Sequence, residues 1–111
     1  MESMIMLTKE EADRLQRNIP DVKILTKVAD FFSVFSDPTR VKIMTALCLY
    51  DLCVSDLAIL LGINQTTVSH QLKYLKQNNI VQSSRDGKMI YYSIDSGMVE
   101  DIMSCGLDYL N

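Results

Sequence analysis

The chain has 111 residues, of which 48% are apolar, a length that allows one domain with a modest core but not two. Its formal net charge of -3 argues against a protein that coats nucleic acid over its whole surface. No run of the sequence approaches the roughly 18 apolar residues of a membrane span. The start, MESMIMLTKEEADRL, lacks secretory signal features. We therefore expect a soluble, cytoplasmic protein with no membrane partner.

The first third of the chain predicts two helices. Thr8 and Glu11 have the spacing of a capping box, which begins a helix that continues to about Asn18. After Pro20, Asp21 is placed to cap a second helix. Apolar residues recur along this second helix at helical spacing, namely Leu25, Val28, Ala29 and Phe32.

The next segment predicts two further helices. Asp37 supplies a capping oxygen, and Pro38 fits the first helical position, where a missing N–H costs nothing. We expect the third helix to turn inward Val41, Met44, Leu47 and Cys48. Ser55 is then expected to cap a short fourth helix, with Asp56 in its first turn.

Two short helices joined by a glycine turn are predicted between residues 55 and 77. Ala58 precedes Gly62 by four positions, and Val68 follows it by six, which is the spacing of a helix-turn-helix. Asn64 is placed to cap the second of these helices. Its expected buried stripe consists of Val68, Leu72 and Leu75.

A β-hairpin follows at residues 80–94. Two β-rich segments, 80–83 and 89–94, flank an Arg-Asp-Gly-Lys turn, and an Asp-Gly pair in this position is a strong hairpin signal. From Asn64 to Tyr91 the chain has four cationic side chains against one carboxylate, a local charge of +3 that leaves -6 for the remainder. Such polarisation favours a phosphate-binding face.

The last helix has an unusually broad apolar face. Asp95 or Ser96 is placed to cap it, and the apolar stripes, with the glycine and thiol among them, comprise Met98, Val99, Ile102, Met103, Cys105, Gly106, Tyr109 and Leu110. So small a core cannot cover both this face and the stripe of the second helix, which predicts self-association.

The candidate DNA-binding site is the polar face of the second helix in the helix-turn-helix, the helix that Asn64 caps. Amide and hydroxyl groups on a helix of this size can address base edges in the major groove, and cations at the hairpin tip can meet phosphates. The chain's only histidine belongs to this face, and there is no second catalytic group at a recognisable spacing, so we predict no enzymatic activity. The predicted DNA-binding residues are Gln65, Thr66, Thr67, Ser69, His70, Lys73, Arg85 and Lys88.

The segments FSDPTRVKIMTALC, DLCVSDLAILLGINQTTVSHQLKYLKQNNIV and RDGKMIYYSI resemble the ArsR/SmtB family of winged-helix transcriptional repressors. The fold class that the resemblance implies is mainly α with a β-hairpin wing, a winged helix-turn-helix that is homodimeric through its N- and C-terminal helices. Residues 1–111 would form a single such domain, with dimerisation helices at 8–35 and 96–111, a helix-turn-helix at 55–77 and a wing at 80–94. The implied partner is double-stranded operator DNA of dyad symmetry, released when an inducer is sensed.

The cysteines are the candidate inducer site. Metal sensors of this family often carry Cys-Val-Cys at this position, so Cys53 matches the first ligand, whereas Ser55 replaces the second. A thiolate site for a soft metal or metalloid ion, such as arsenite, cadmium or lead, could combine Cys53 with Cys48 and with Cys105 of either subunit. The odd number of cysteines favours reduced thiols over structural disulfides.

Two alternatives stay open at this point. A thiol redox or persulfide sensor of the same fold would use paired cysteines, although the positions used by related persulfide sensors fall near Thr45 and Asn111 here. A winged helix used only for protein contact is the other alternative, because fold alone does not determine function.

Overall fold

The computed structural model describes residues 6–111, and it divides into one unit that ends at Phe32 and a second that runs from Ser33 to Asn111. The expectation that the N-terminus lacks secretory signal features concerns in part residues 1–5, which lie outside the described residues. Among the described residues, no helix has the length and apolar character needed to cross a bilayer. The elements are α1 (Lys9–Asn18), α2 (Val22–Ser33), α3 (Pro38–Leu49), α4 (Val54–Leu61), α5 (Gln65–Gln77), β1 (Val81–Asp86), β2 (Met89–Ile94) and α6 (Gly97–Leu110).

The first unit contains α1 and nearly all of α2. The capping box predicted for α1 is present: the Glu11 amide donates to Thr8 Oγ1, and the Thr8 amide donates to Glu11 Oε1, each at 3.1 Å. Hydrogen bonding to the Glu11 carboxylate, first from the Thr8 backbone amide and then from the Thr8 side chain, lowers the pKa of Glu11. Asp21 begins α2 as expected, since its Oδ1 accepts from the Lys23 amide at 3.4 Å.

The second unit contains the buried apolar core of the described residues, and α3 lies at the centre of that core. Asp37 Oδ1 accepts from the Thr39 amide at 3.1 Å, with Pro38 at the first helical position, as predicted. The expected burial of Met44 and Leu47 is confirmed, whereas Val41 and Cys48 are only half-buried. The residues that α3 buries are Ile43, Met44, Ala46 and Leu47.

The helix-turn-helix consists of α4 and α5. Gly62 ends α4 with a φ of +64°, and the following amide, that of Ile63, donates to the Ala58 carbonyl at 3.0 Å, a bond typical of glycine-terminated helices. Asn64 caps α5, accepting from the Thr67 amide at 3.1 Å. The predicted stripe of α5 is fully buried, with 0% exposure for Val68, Leu72 and Leu75.

The prediction that Ser55 caps α4 is wrong by two residues. The cap position belongs to Cys53, which keeps extended geometry because the preceding residue, Leu52, is paired with Tyr92. Helical geometry therefore begins at Val54, and Ser55 falls inside the first turn. Its hydroxyl instead accepts a hydrogen bond from Gln65 Nε2 at 3.5 Å.

The wing is an antiparallel hairpin whose register pairs Asp86 with Met89 across the two-residue turn Gly87–Lys88. Gly87 has a φ of +63°, as a primed hairpin turn requires at its first central position. Leu52 extends the sheet by one bridge: its amide donates to the Tyr92 carbonyl at 3.2 Å, and the Tyr92 amide donates back at 2.8 Å. The mainly helical fold with a hairpin wing is thus confirmed.

Helix α6 follows the wing and buries little of its surface within the second unit. Ser96 occupies the cap position, although its side chain makes no capping hydrogen bond. Val99 is its one buried residue, while Met98, Tyr109 and Leu110 are exposed. Most of the apolar face predicted for this helix therefore lies on the surface of the single chain.

The cap of α5 gives a direct test of this local structure. Asn64→Ala removes the acceptor for the Thr67 amide, so we expect the free energy of unfolding to fall by about 1 kcal/mol. Asn64→Ser, which retains a capping oxygen, should stay close to the wild-type value. Urea unfolding followed by circular dichroism measures both, and equal losses for the two variants would contradict a capping role.

Candidate functional site

One face of α5 is polar and exposed over its whole length, opposite the buried stripe. Capping by Asn64 fixes where the helix begins, and the burial of Val68, Leu72 and Leu75 fixes which face turns outward. The predicted contact residues Thr66, Thr67, Ser69, His70 and Lys73 lie on this exposed side. Gln65 is also exposed, at the first position of α5, but it lies three residues before Val68 on the line of the buried stripe, and its Nε2 donates to Ser55 Oγ at 3.5 Å.

The groups on this face are hydrogen-bond donors and acceptors of the kind that read base edges. Gln65 offers an amide, Ser69 a hydroxyl, His70 an imidazole and Lys73 an ammonium, all reachable from solvent. His70 is exposed, and no group of metal-ligating side chains within residues 6–111 includes it. The arrangement suits contact with a partner.

The wing tip adds exposed positive charge beside the hairpin turn. Arg85 lies near the end of β1, and Lys88 is the second residue of the turn. The hairpin is held to α5 by a 2.7 Å hydrogen bond from Lys76 Nζ to Ser83 Oγ. This bond uses one of the cations in the basic segment for structure and leaves Arg85 and Lys88 exposed at the tip.

A polar network behind α5 was not anticipated from the sequence. Gln71 Nε2 donates to Asp37 Oδ2 at 3.1 Å, and Arg40 lies over the ring of Tyr74, 4.4 Å from its centroid. Gln71 is three residues after Val68 and four before Leu75, which places it beside the buried stripe. That spacing could have indicated an inward-facing amide, but its partner is 34 residues away.

The three thiols occupy different environments. Cys53 is 4% exposed at the start of α4, Cys48 is half-buried near the end of α3, and Cys105 is exposed on α6. Burial, and to a smaller extent the carboxylate of Glu100, raise the pKa of Cys48 above its ordinary value. Within the described residues of one chain, no three cysteine, histidine or acidic side chains are grouped so that they could hold a metal ion.

Cys48 lines a cavity of about 210 Å³ between α3 and α6. Hydroxyl groups, a carboxylate and apolar groups all line this cavity, so the Cys48 thiol has both polar and apolar neighbours. Its walls are Thr45, Cys48, Leu49, Glu100, Met103, Ser104 and Leu107.

Residues 37–83, which run from the start of α3 into β1, match the model of the bacterial regulatory protein, arsR family. The transcriptional repressor SmtB homolog of Synechocystis sp. is 33% identical over 101 residues, which are 91% of this chain and 76% of that protein. The cadmium resistance transcriptional regulatory protein CadC of Listeria innocua is 39% identical over 83 residues, 74% of this chain and 70% of its own length.

The fold comparison agrees with the sequence comparison. A homodimeric winged helix-turn-helix DNA-binding domain from Mycobacterium bovis superimposes with a TM-score of 0.73 at 26% identity, covering 84% of this chain and 88% of that one. The SmtB homolog and CadC are transcriptional regulators, which confirms the prediction that the chain is not an enzyme. The chain belongs to the ArsR/SmtB family of winged helix-turn-helix, DNA-binding transcriptional repressors.

Proposed function

We propose that the protein is an inducer-responsive repressor that binds a dyad-symmetric DNA operator as a homodimer. The observation that carries the proposal is the division of α5 into a fully buried stripe and an exposed polar face. A helix supported in this way enters the major groove as a rigid body, because its core side cannot turn toward the DNA without exposing Val68, Leu72 and Leu75. Helix α5 is then the recognition helix.

Contacts on the operator divide into two kinds. The amide of Gln65 and the hydroxyl of Ser69 read base edges, together with the neighbouring polar groups on the same face. Arg85 and Lys88 at the wing tip meet phosphates, and Lys73 adds to this positive charge along the helix. The protein's overall negative charge limits binding elsewhere on its surface.

The proposed dimer is supported by exposed apolar side chains on the terminal helices. In the first unit, Leu25, Val28 and Phe32 of α2 are exposed, and in the second unit the same holds for Met98 and Leu110 of α6. Apolar surface of this kind is a common basis of self-association. The Mycobacterium bovis relative is homodimeric, in agreement with the proposal.

For the inducer, we propose a soft metal or metalloid ion, such as arsenite, cadmium or lead, bound by thiolates. CadC of Listeria innocua is a cadmium resistance regulator, and thiolate sulfur is the ligand that such ions prefer. Cys53 is the primary ligand because it matches the first cysteine of the Cys-Val-Cys pattern of related metal sensors and directly precedes α4. Cys48 is the second donor, and the third donor in this proposal is Cys105 of the partner subunit, because no such group of three occurs within residues 6–111 of one chain.

The proposed route from the thiol to the DNA is short. Cys53 directly follows Leu52, which is hydrogen-bonded on both sides to Tyr92 in β2. It also directly precedes α4, which packs on the recognition helix. A metal ion that draws the Cys53 sulfur out of its buried position therefore displaces either the wing or the helix-turn-helix.

The two kinds of DNA contact predict different defects. Lys88→Ala should weaken binding to all sequences alike and should reduce the slope of log K against log salt by about 0.9 for each lost phosphate contact, or about 2 per dimer. Ser69→Ala should instead relax base preference, by roughly 1–3 kcal/mol at one position, with the slope unchanged. Fluorescence anisotropy at several salt concentrations measures both quantities.

The matched control for this experiment is Lys9→Ala, which removes an exposed charge from the first turn of α1. It should leave both the slope and the base preference as they are. If wild-type protein enriches no sequence from a random duplex library, the operator-binding proposal is overturned, and a winged helix that contacts only protein becomes the better description.

Cys53 gives the test of the inducer. Arsenite, cadmium, lead, zinc and a persulfide donor are titrated into the DNA complex of the wild-type protein and of Cys53→Ser. We expect a soft ion to release the wild-type protein, and the variant to retain DNA binding but to need at least about tenfold more ion, because serine oxygen is a poor ligand for it. Release by the persulfide donor alone would favour the redox alternative, and no release by any of them would exclude thiol sensing.

The environment of Cys48 predicts a pH dependence. Since the Glu100 carboxylate opposes the thiolate, Glu100→Gln should move the alkylation midpoint of Cys48 to lower pH. It should nevertheless stay above that of a free cysteine, because burial, the larger cause, remains. The midpoint is measured from the rate of Cys48 alkylation by iodoacetamide as a function of pH, in a protein that also carries Cys53→Ser and Cys105→Ser. Asp101→Asn is the control. An unchanged midpoint in Glu100→Gln would contradict this.

A further inference from the structure

The N-terminus of α3 and the middle of α5 are joined through a single carboxylate. Asp37 Oδ1 accepts from the Thr39 amide at 3.1 Å, and Oδ2 accepts both from Gln71 Nε2 at 3.1 Å and from Arg40 Nη1 at 3.3 Å. Asp37 thus acts as a helix cap and as an interhelical bond at the same time. Gln71 is the member of this set that belongs to α5.

Arg40 extends the same network from Asp37 to the segment before α3 and to a second residue of α5. Its Nε donates to the Val34 carbonyl at 3.0 Å and its Nη2 to the Ser33 carbonyl at 3.3 Å, while the guanidinium carbon lies 4.4 Å from the ring centroid of Tyr74. The side chains of Arg40 and Asp37 are 16% and 31% exposed, so solvent screens their ion pair only in part. Gln71 and Tyr74 are three residues apart, so the network contacts one side of α5 at two successive turns.

Hydrogen bonds constrain α5 in a way that its apolar stripe does not. Apolar packing is not directional, and a small rotation about the helix axis keeps Val68 and Leu72 buried. A hydrogen bond to a carboxylate is limited to about 2.7–3.2 Å and weakens steeply with angle. A rotation of about 20° moves side-chain atoms on the helix surface by about 2 Å, given a radius of about 5–6 Å, which is enough to break such a bond.

We propose that Asp37 and Gln71 are positioning residues that fix the rotation of α5 and so determine the DNA sequence specificity. Base-edge contacts from Gln65 and Ser69 require the geometry that this rotation sets. Phosphate contacts from long lysine and arginine side chains tolerate the same displacement, because their charges act over a longer range. The inference rests on the proposed function, since it assigns a means of specificity to the same recognition helix.

The test measures specific and non-specific affinity separately. Wild-type protein first selects its preferred sequence from a random duplex library, and Kd is then measured for that duplex and for a scrambled one. Gln71→Met keeps the size of the side chain but removes the hydrogen bond. We expect it to lower the ratio of specific to non-specific affinity roughly tenfold, about the effect of losing one good base contact, with the non-specific Kd unchanged.

An exchange variant separates positioning from direct contact. Gln71→Glu alone places two carboxylates together and should lower the ratio at least as far. Adding Asp37→Asn restores an amide–carboxylate pair with the two groups exchanged and keeps a capping oxygen for α3. Arg40 Nη1, which loses its Oδ2 acceptor, then pairs with the carboxylate introduced at position 71, so the ratio should recover. Gln77→Met, at an exposed position at the end of α5, is the matched control and should leave the ratio as it is.

Several outcomes would overturn the inference. An unchanged ratio in Gln71→Met would show that the bond does not position α5, and equal losses for both duplexes, with a lower melting temperature, would show a purely structural role. A Gln71→Glu defect that Asp37→Asn does not relieve would contradict positioning through the bond between residues 37 and 71. Failure of the wild-type protein to select any sequence would count against the proposed function instead.

Discussion

The structure around the site depends on the burial of one stripe of α5. Complete burial of three branched side chains, Val68, Leu72 and Leu75, contributes roughly 1.5–3 kcal/mol each, which together is comparable with the net stability of a small domain, about 5–15 kcal/mol. Helix α5 therefore cannot expose this stripe and remain folded. The exposed polar face is fixed as the complement of this stripe, so the core and the candidate site are two sides of one helix.

Local hydrogen bonds then fix where that helix begins and what lies beside it. Gly62 sets the turn, and Asn64 sets the first residue of α5. The Lys76–Ser83 bond holds β1 against the C-terminal end of α5. The Leu52–Tyr92 bridge connects β2 with the segment before α4. The exposed polar face of α5 and the wing tip are consequently parts of one hydrogen-bonded unit, although neither belongs to the apolar core.

The sequence predicts those features that depend on neighbours along the chain. The capping box at Thr8, the cap at Asn64 and the stripe of α5 were all predictable, because each follows from spacing within one or two helical turns. The start of α4 was not, since the pairing of Leu52 with Tyr92 across 40 positions keeps Cys53 extended and moves the cap away from Ser55. The Asp37–Gln71 bond joins residues that no local pattern connects.

The same reason explains why the thiols could be named from the sequence but their chemistry could not. A thiol's reactivity depends on burial and on nearby charge, and both are properties of the fold: Glu100, 52 positions away, helps raise the pKa of Cys48. Cys53 differs because it lies at a junction, between a residue paired to the wing and the first turn of α4. In the proposed mechanism its position matters more than its intrinsic reactivity. In this mechanism a ligand there acts on the two elements that are proposed to contact DNA, whereas a ligand at Cys105 acts on α6 alone.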